Sequence, residues 1–288
     1  MNHFAILCAM PPEIAPFKQA LTGLQPGSLG AFPCWRGTFQ QRDVSLVLCG
    51  IGKVHAAAAA QLTVSELKPD AVFSCGSAGS LDDRLDIGDV VVGASTLQHD
   101  YGFVTPDAFI PFGLHLQRQG QAREYMRRFP ADASLLSVAN AIQHDAPPSS
   151  PRVVIGTILT GDQVIFSAEK RQALRQEFDA LAVEMESAAI AQVCALYDIP
   201  FLSIRGISDH ASEAIPLDTS RLDPNELAEF SSASLGKKLS LFAKTISYLA
   251  HHPSAFVMSV QARQHIKTAS EHSAQITLRF IEQLGSEI

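Results

Sequence analysis

Short apolar runs, closed by glycines and separated by helix-like stretches, recur through most of the chain. Phe4–Met10 is the first run, and Val44–Cys49 is another, ending at Gly50-Ile51-Gly52. Lys53–Leu67, with alanine at 56 to 60, predicts a helix of strong intrinsic propensity. Ala71–Cys75 predicts a buried strand that stops at Gly76-Ser77-Ala78-Gly79, and Asp89–Ala94 a further strand entered through Gly88. A helix over Ser134–His144 and the linker Pro147-Pro148-Ser149-Ser150-Pro151 interrupt the alternation. Val153–Leu159 resumes it, followed by Thr160-Gly161-Asp162 and a helix from about Ser167 to Phe178. Leu181–Val183 leads into a helix near Glu186–Tyr197, and Phe201–Ile207 is one more apolar strand. Strands that alternate with helices and are apolar on both faces indicate an α/β fold with a largely buried sheet.

The last part of the chain reads differently. Asp223-Pro224-Asn225-Glu226 is a helix start, with Asp as N-cap, Pro at N1 and Glu at N3. Leu235, Leu239, Phe242, Ile246 and Leu249 then recur at helical spacing, which packs that helix on the domain. Beyond His251-His252-Pro253, residues 250–288 hold four of the ten histidines. There Ile276, Phe280, Ile281 and Leu284 form a narrow stripe, as in a helix docked on the domain or on a second subunit.

Composition removes several function classes. The 288 residues are 47% hydrophobic and 18% charged, too apolar for a disordered chain and too charged for a membrane bundle. A net charge of −7 gives no overall footprint for nucleic acid. No apolar run approaches the ~18–20 residues of a spanning helix, so no membrane partner is expected. The N-terminus lacks a basic leader region, and the expectation is a soluble, cytoplasmic protein. Cys8, Cys49, Cys75 and Cys194 sit in apolar stretches and Cys34 adjoins Trp35; five cysteines without a CxxC give no disulfide frame. His99-Asp100 and His251-His252 lack partners at metal-ligand spacing, and neither a metal nor another cofactor is expected.

Candidate chemistry lies where strands end, the edge at which open α/β sheets bind ligands. Glu13 follows the first strand, Gly76-Ser77-Ala78-Gly79 closes another, Glu184-Met185-Glu186 joins a strand to a helix, and Ser208-Asp209 follows Phe201–Ile207. Carboxylates gathered in one crevice divide into base, hydroxyl binder and acid when their environments separate their pKa values. Taken singly, Glu13 and Asp209 serve equally well as acids at helix starts, and Glu186 as a surface charge.

Together these segments resemble a known family. Ala9-Met10-Pro11-Pro12-Glu13, Gly50-Ile51-Gly52-Lys53-Val54, Gly76-Ser77-Ala78-Gly79, Gly161-Asp162, Val183-Glu184-Met185-Glu186-Ser187-Ala188-Ala189-Ile190 and Arg205-Gly206-Ile207-Ser208-Asp209 occur in the order of the nucleoside phosphorylase/nucleosidase superfamily. Within it the chain is most similar to the methylthioadenosine/S-adenosylhomocysteine nucleosidases. The likeness implies an α/β, three-layer α/β/α sandwich around a mixed, partly barrel-like sheet. It implies a catalytic domain over residues 1–249, with 250–288 left as a helical C-terminal extension. It further implies cleavage of the N-ribosidic bond of a purine nucleoside, and assembly as a homodimer. In that likeness Asp209 protonates purine N7, Glu13 activates water, Glu186 binds the ribose hydroxyls and Met185 packs on the sugar. Ser77 and Arg205 match positions near the water, and Ser208 accompanies the acid.

Phosphorylases of the superfamily carry arginines in the turn after strand one and before the Gly-Ser turn; here those places hold Pro11-Pro12-Glu13 and Ser74-Cys75. A phosphate dianion facing Glu13 without a guanidinium fork is repelled, so the resemblance favours hydrolysis. A nucleosidase of other specificity, of futalosine or hopanoid-pathway type, and a phosphorylase stand as alternatives; a non-catalytic nucleoside binder has no need of a base at the sugar. Where the family has a purine-stacking aromatic, the chain has Val164, then Ile165 and Phe166. Either Phe166 takes that role or the base is held by apolar contact and backbone groups. Phe109-Ile110-Pro111-Phe112 offers an apolar wall for a 5′ substituent, or ordinary loop packing. Arg118, Arg123, Arg127 and Arg128 read as a solvated helix face.

Overall fold

A computed structural model describes residues 1–145, 147, 150–211 and 253–284, with backbone alone from 253 to 260. The first half comprises β1 (His3–Cys8), α1 (Pro11–Ala20), β2 (Thr22–Leu29), β3 (Phe32–Phe39), β4 (Arg42–Leu48), α2 (Lys53–Leu62) and β5 (Ala71–Ser80). The helix expected over Lys53–Leu67 ends as a π-helical turn at Thr63–Leu67. Next come β6 (Val90–Gln98) and the short strands β7 (Gly102–Val104), β8 (Phe109–Pro111), β9 (Leu114–Leu116), β10 (Glu124–Met126) and β11 (Phe129–Pro130). The rest is α3 (Ala133–His144), β12 (Val153–Thr160), α4 (Ala168–Phe178), β13 (Ala180–Glu184), α5 (Ser187–Leu196), β14 (Phe201–Asp209) and α6 (Pro253–Gln283). The helix start at Asp223 and the stripe from Leu235 to Leu249 lie outside the described residues.

The main sheet has an open arm and a closed end. The arm runs β2-β3-β4-β1-β5, with β1 parallel to both β4 and β5. Beyond it, β5 pairs in parallel with β14 and, at Gly79 and Ser80, antiparallel with β13. β14 pairs antiparallel with β6, β6 in parallel with β12, and β12 in parallel with β13. The path β5-β14-β6-β12-β13 therefore returns to β5 and forms a partly closed barrel.

Alternation along β1 shows how the layers arise. Phe4, Ile6 and Cys8 enter a core with Ile14 and Phe17 of α1, Leu135 and Ile142 of α3, and Ile276 and Phe280 of α6. Ala5 and Leu7 face the other way, against Ala56 and Ala60 of α2 and Ile190 and Cys194 of α5. A strand apolar at every position is thus covered on both faces, giving helix, sheet and helix layers. All five cysteines are free and buried.

Helix α6 is no appendage. Ile276, Phe280 and Ile281 are fully buried, and the Phe280 ring lies 6.2 Å from that of Phe73 on β5. Ala269, Ser270, Ser273, Ala274 and Thr277 are buried as well. These small side chains let the helix approach β14 so closely that a Cβ on Gly206 would collide with the Ala269 carbonyl. The Thr277 hydroxyl meets Cys75 Sγ at 3.0 Å, and His272 Nδ1 meets the Gly88 carbonyl at 2.6 Å. A division at residue 249 therefore does not separate two cores, because α6 completes the first.

The basic stretch also differs from its sequence reading. Arg118 and Arg123 flank strands of the β9–β10 hairpin rather than lining a helix. Arg118 Nη1 pairs with Glu124 at 3.0 Å, and its Nε donates to the Ala195 carbonyl at 3.1 Å. Arg128 donates to the Phe178 carbonyl at 2.9 Å. These arginines tie loops to the body of the fold.

Candidate active site

The C-terminal ends of β1, β5, β13 and β14 bring four of the singled-out residues together. Pro11 and Pro12 open α1, where missing N–H groups cost nothing, and place Glu13 in the first turn. Glu13 Oε2 accepts from the Ala9 and Met10 amides at 3.0 Å each. Its Oε1 accepts from the Ser77 amide at 2.8 Å and the Ser77 hydroxyl at 2.9 Å. Glu13 and Arg205 are each only 2% exposed.

Arg205 on β14 is in register with Gly76 on β5. Its Nη2 lies 2.6 Å from Glu184 Oε2 and donates to Ser74 Oγ at 2.7 Å and Ser187 Oγ at 3.0 Å. Nη1 faces the Ser77 carbonyl at 3.5 Å and Glu186 Oε2 at 3.6 Å. Burial opposes the guanidinium charge, but Glu184, Glu186 and Glu13 outweigh it and raise the pKa.

Glu186 stands at the N-cap of α5, and its Oε1 accepts from the Gly52 amide at 2.9 Å. Gly50 and Gly52 reach this turn at φ +85° and +95°, a region glycine enters without strain. Burial, reinforced by the charge of Glu184, pushes the Glu186 carboxyl from 4.5 up to about 8, against the pull of Arg205 and the Gly52 amide. Met185 is half-buried between the two acids.

Asp209 closes β14 opposite Gly79. Its Oδ2 accepts from the Ser208 hydroxyl and its Oδ1 from the Ala211 amide, each at 2.9 Å. Ser77 and Gly79 are successive same-face positions of β5, so Asp209 stands roughly 7 Å along the strands from the Glu13 cluster. A nucleoside is of that span.

The residues expected at the purine separate. Ile165 is buried in a side cluster with Leu81, Leu159, Leu174 and Phe178, whereas Val164 and Phe166 are 64% and 45% exposed. Lys53 links three strand ends. Its amide donates to Asp162 Oδ1 at 2.9 Å and its Nζ to Asp100 at 2.7 Å, while the Asp162 amide donates to Asp100 at 2.9 Å. His99 packs against Gly161; burial lowers its pKa, and neither ring nitrogen meets a partner among the described residues.

One acid in the quoted motif was given no role by sequence reasoning. Glu184 accepts from the Thr160 hydroxyl, from the Glu186 and Ser187 amides at 3.0 and 2.9 Å, and from Ser187 Oγ at 2.9 Å. Its signal was an acid closing the otherwise apolar run Ala180–Val183.

A family model for the phosphorylase superfamily matches residues 3–246. The chain belongs to the phosphorylase superfamily. Within that superfamily it is 36% identical over 212 residues to the 5′-methylthioadenosine/S-adenosylhomocysteine nucleosidase of Tolumonas auensis, covering 73% of this chain and 87% of the relative. Against the nucleosidase of Staphylococcus carnosus the identity is 35% over 208 residues, 72% of this chain and 86% of the relative. The crystal structure of the Neisseria meningitidis nucleosidase, in complex with methylthio-immucillin-A, superposes with a TM-score of 0.72 at 28% identity. That superposition covers 98% of this chain and 100% of the other. The superfamily fold expected from the ordered motifs, with its partly closed sheet, is the fold found.

Proposed function

We propose that this protein hydrolyses the N-ribosidic bond of 5′-methylthioadenosine or S-adenosylhomocysteine and releases adenine. The observation that carries the reading is the buried cluster of Glu13, Ser77, Arg205 and Glu186, set one nucleoside length from Asp209. The bond breaks as positive charge grows on the ribose and negative charge on the purine. Asp209 delivers a proton to N7, so that adenine leaves neutral. Glu186 takes the ribose hydroxyls, with Met185 against the sugar. Glu13 orients a water below the anomeric carbon and accepts its proton. Three of the four donors on Glu13 are main-chain amides, and only the Ser77 hydroxyl turns freely, so water reaches Oε1 on that side.

Water rather than phosphate fits this cluster. Arg205 is engaged by Glu184, and a dianion would meet the carboxylate of Glu13 at close range. Unit charges about 4 Å apart at an effective dielectric near 20 repel by ~4 kcal/mol, roughly a thousandfold in occupancy. The β7–β8 hairpin supports a homodimer: Phe103, Val104 and Ile110 are 63%, 86% and 51% exposed, and Phe103 stacks on Phe112 at 4.3 Å. A second copy covering this hairpin would remove that apolar surface from water. Location in the cytoplasm accords with the absence, among the described residues, of a helix able to cross a membrane.

The test is product analysis with 5′-methylthioadenosine. Free adenine and free methylthioribose, formed at a rate independent of millimolar phosphate, are expected. A sugar 1-phosphate whose formation requires phosphate would overturn the hydrolase reading.

A further inference from the structure

We propose that Glu184 is a positioning residue for this reaction: it holds the Arg205 guanidinium and the turn at 184–187 so that Glu186 faces the sugar without a hydrogen bond from Arg205. The inference rests on the nucleosidase reading above. Two contacts set it up. Arg205 Nη2 is 2.6 Å from Glu184, whereas its Nη1 is 3.6 Å from Glu186, beyond hydrogen-bond reach. The same Glu184 carboxylate collects both amides of the turn that presents Glu186, along with the Thr160 and Ser187 hydroxyls. Ser187 Oγ also touches Ser203 Oγ at 2.8 Å, which extends the support to β14.

The charges around Glu186 show what this arrangement achieves. Glu184 faces it from β13, Arg205 from β14, Glu13 from α1 and the Cys49 thiol from the end of β4. Arg205 is the positive group among them, and a guanidinium free to move would close from 3.6 Å into a hydrogen-bonded pair with Glu186, or with Glu13. Such a pair would cancel the negative charge that stabilises the cationic sugar in the transition state. Glu184 instead holds Arg205 in a close pair at 2.6 Å. The proton affinity of Glu186 in the empty site accords with this, since Glu184 raises it and Arg205 lowers it.

The test compares kcat/KM for 5′-methylthioadenosine between pH 5 and 9 in the wild-type chain and in Glu184→Gln. With the charge gone, Arg205 turns to Glu186. The limb of kcat/KM that rises with pH should move at least one unit toward acid, and its plateau should fall about 10- to 100-fold. Glu184→Asp, which keeps the charge, should leave the limb within half a unit of wild type (roughly threefold in proton affinity). Should the Gln variant fail to fold, Arg205→Met addresses the same pair from its other side, and its limb should move toward alkali. A lowered plateau with an unmoved limb would show mere structural support and overturn the proposal while leaving the nucleosidase reading intact. Absence of adenine release by the wild-type chain would overturn that reading instead.

Discussion

Gly76 leaves empty the space that the Glu13 carboxylate occupies: a Cβ on Gly76 would fall 2.5 Å from Glu13 Oε1 and 2.8 Å from Arg205 Nη1. The glycine of the Gly-Ser turn is needed here for room, since its φ is not in the left-handed region. Gly76→Ala should displace the Glu13 carboxylate from Ser77. Overpacking of this kind costs about 1–3 kcal/mol, and adenine release should fall at least ~100-fold with the base displaced. Steady-state rates and urea unfolding of the same preparation check both; wild-type kcat in a folded Ala variant would remove Glu13 as the base.

Glu13→Gln is expected to do more than silence the base. Each partner of the carboxylate is a donor, so the Gln amide nitrogen must face an N–H or the Ser77 hydroxyl whichever way it turns. The variant should lose about 1–3 kcal/mol of stability from the mismatch. It should also lose ~10²–10⁴-fold in kcat. A fully stable variant with only a raised KM would mean that Glu13 binds rather than activates.

Asp209→Asn keeps a group able to hydrogen-bond but none able to protonate N7. Hydrolysis of 5′-methylthioadenosine should slow by ~10²–10⁴-fold with little change in binding. A synthetic ribosyl substrate whose leaving group needs no proton should be cleaved far closer to the wild-type rate. Equal losses on both substrates would argue against the acid role.

Glu186 makes the empty protein less stable in alkali. Its folded pKa, about 8, lies above the ordinary 4.5, so the folded state holds its proton longer than the unfolded chain. The contribution is complete below pH 4.5 and is lost as pH rises through 8. His99, lowered by burial, acts in the opposite sense, with stability present above 6.5 and lost toward acid. Comparing urea midpoints of wild type and Glu186→Gln from pH 5 to 9 isolates the first effect. The difference should grow in favour of Gln toward pH 9, and parallel curves would contradict the buried, charge-crowded setting of Glu186.

Much of this was readable in the chain because the relevant strands are apolar on both faces. β1, β4, β5, β12 and β14 all appear as short apolar runs, and their ends mark the site. The β2–β3 hairpin was missed for the opposite reason. Thr22–Leu29 is almost wholly exposed and carries Gly23, Pro26 and Gly27, so it has the composition of a loop. In α6 the stripe of Ile276, Phe280 and Ile281 was visible, but five of its eight described buried side chains are serine, threonine or alanine, which hydrophobic patterning does not register. Glu184 escaped because only the fold shows that its partners are a distant arginine and the two amides after it.

The place of α6 also bears on how the protein comes into being. β5 and β14 carry the Gly-Ser turn, Arg205 and Asp209, and they pack against α6, a helix that begins 44 residues after Asp209. A nascent chain therefore displays Phe73 and the neighbouring apolar strands uncovered until α6 has been made. Domains commonly fold from the N-terminus as they emerge, but this one must wait for α6. Products that stall or terminate before α6 should accordingly be recognised by chaperones and proteases as unfinished, and catalytic competence should arrive only once α6 has been made.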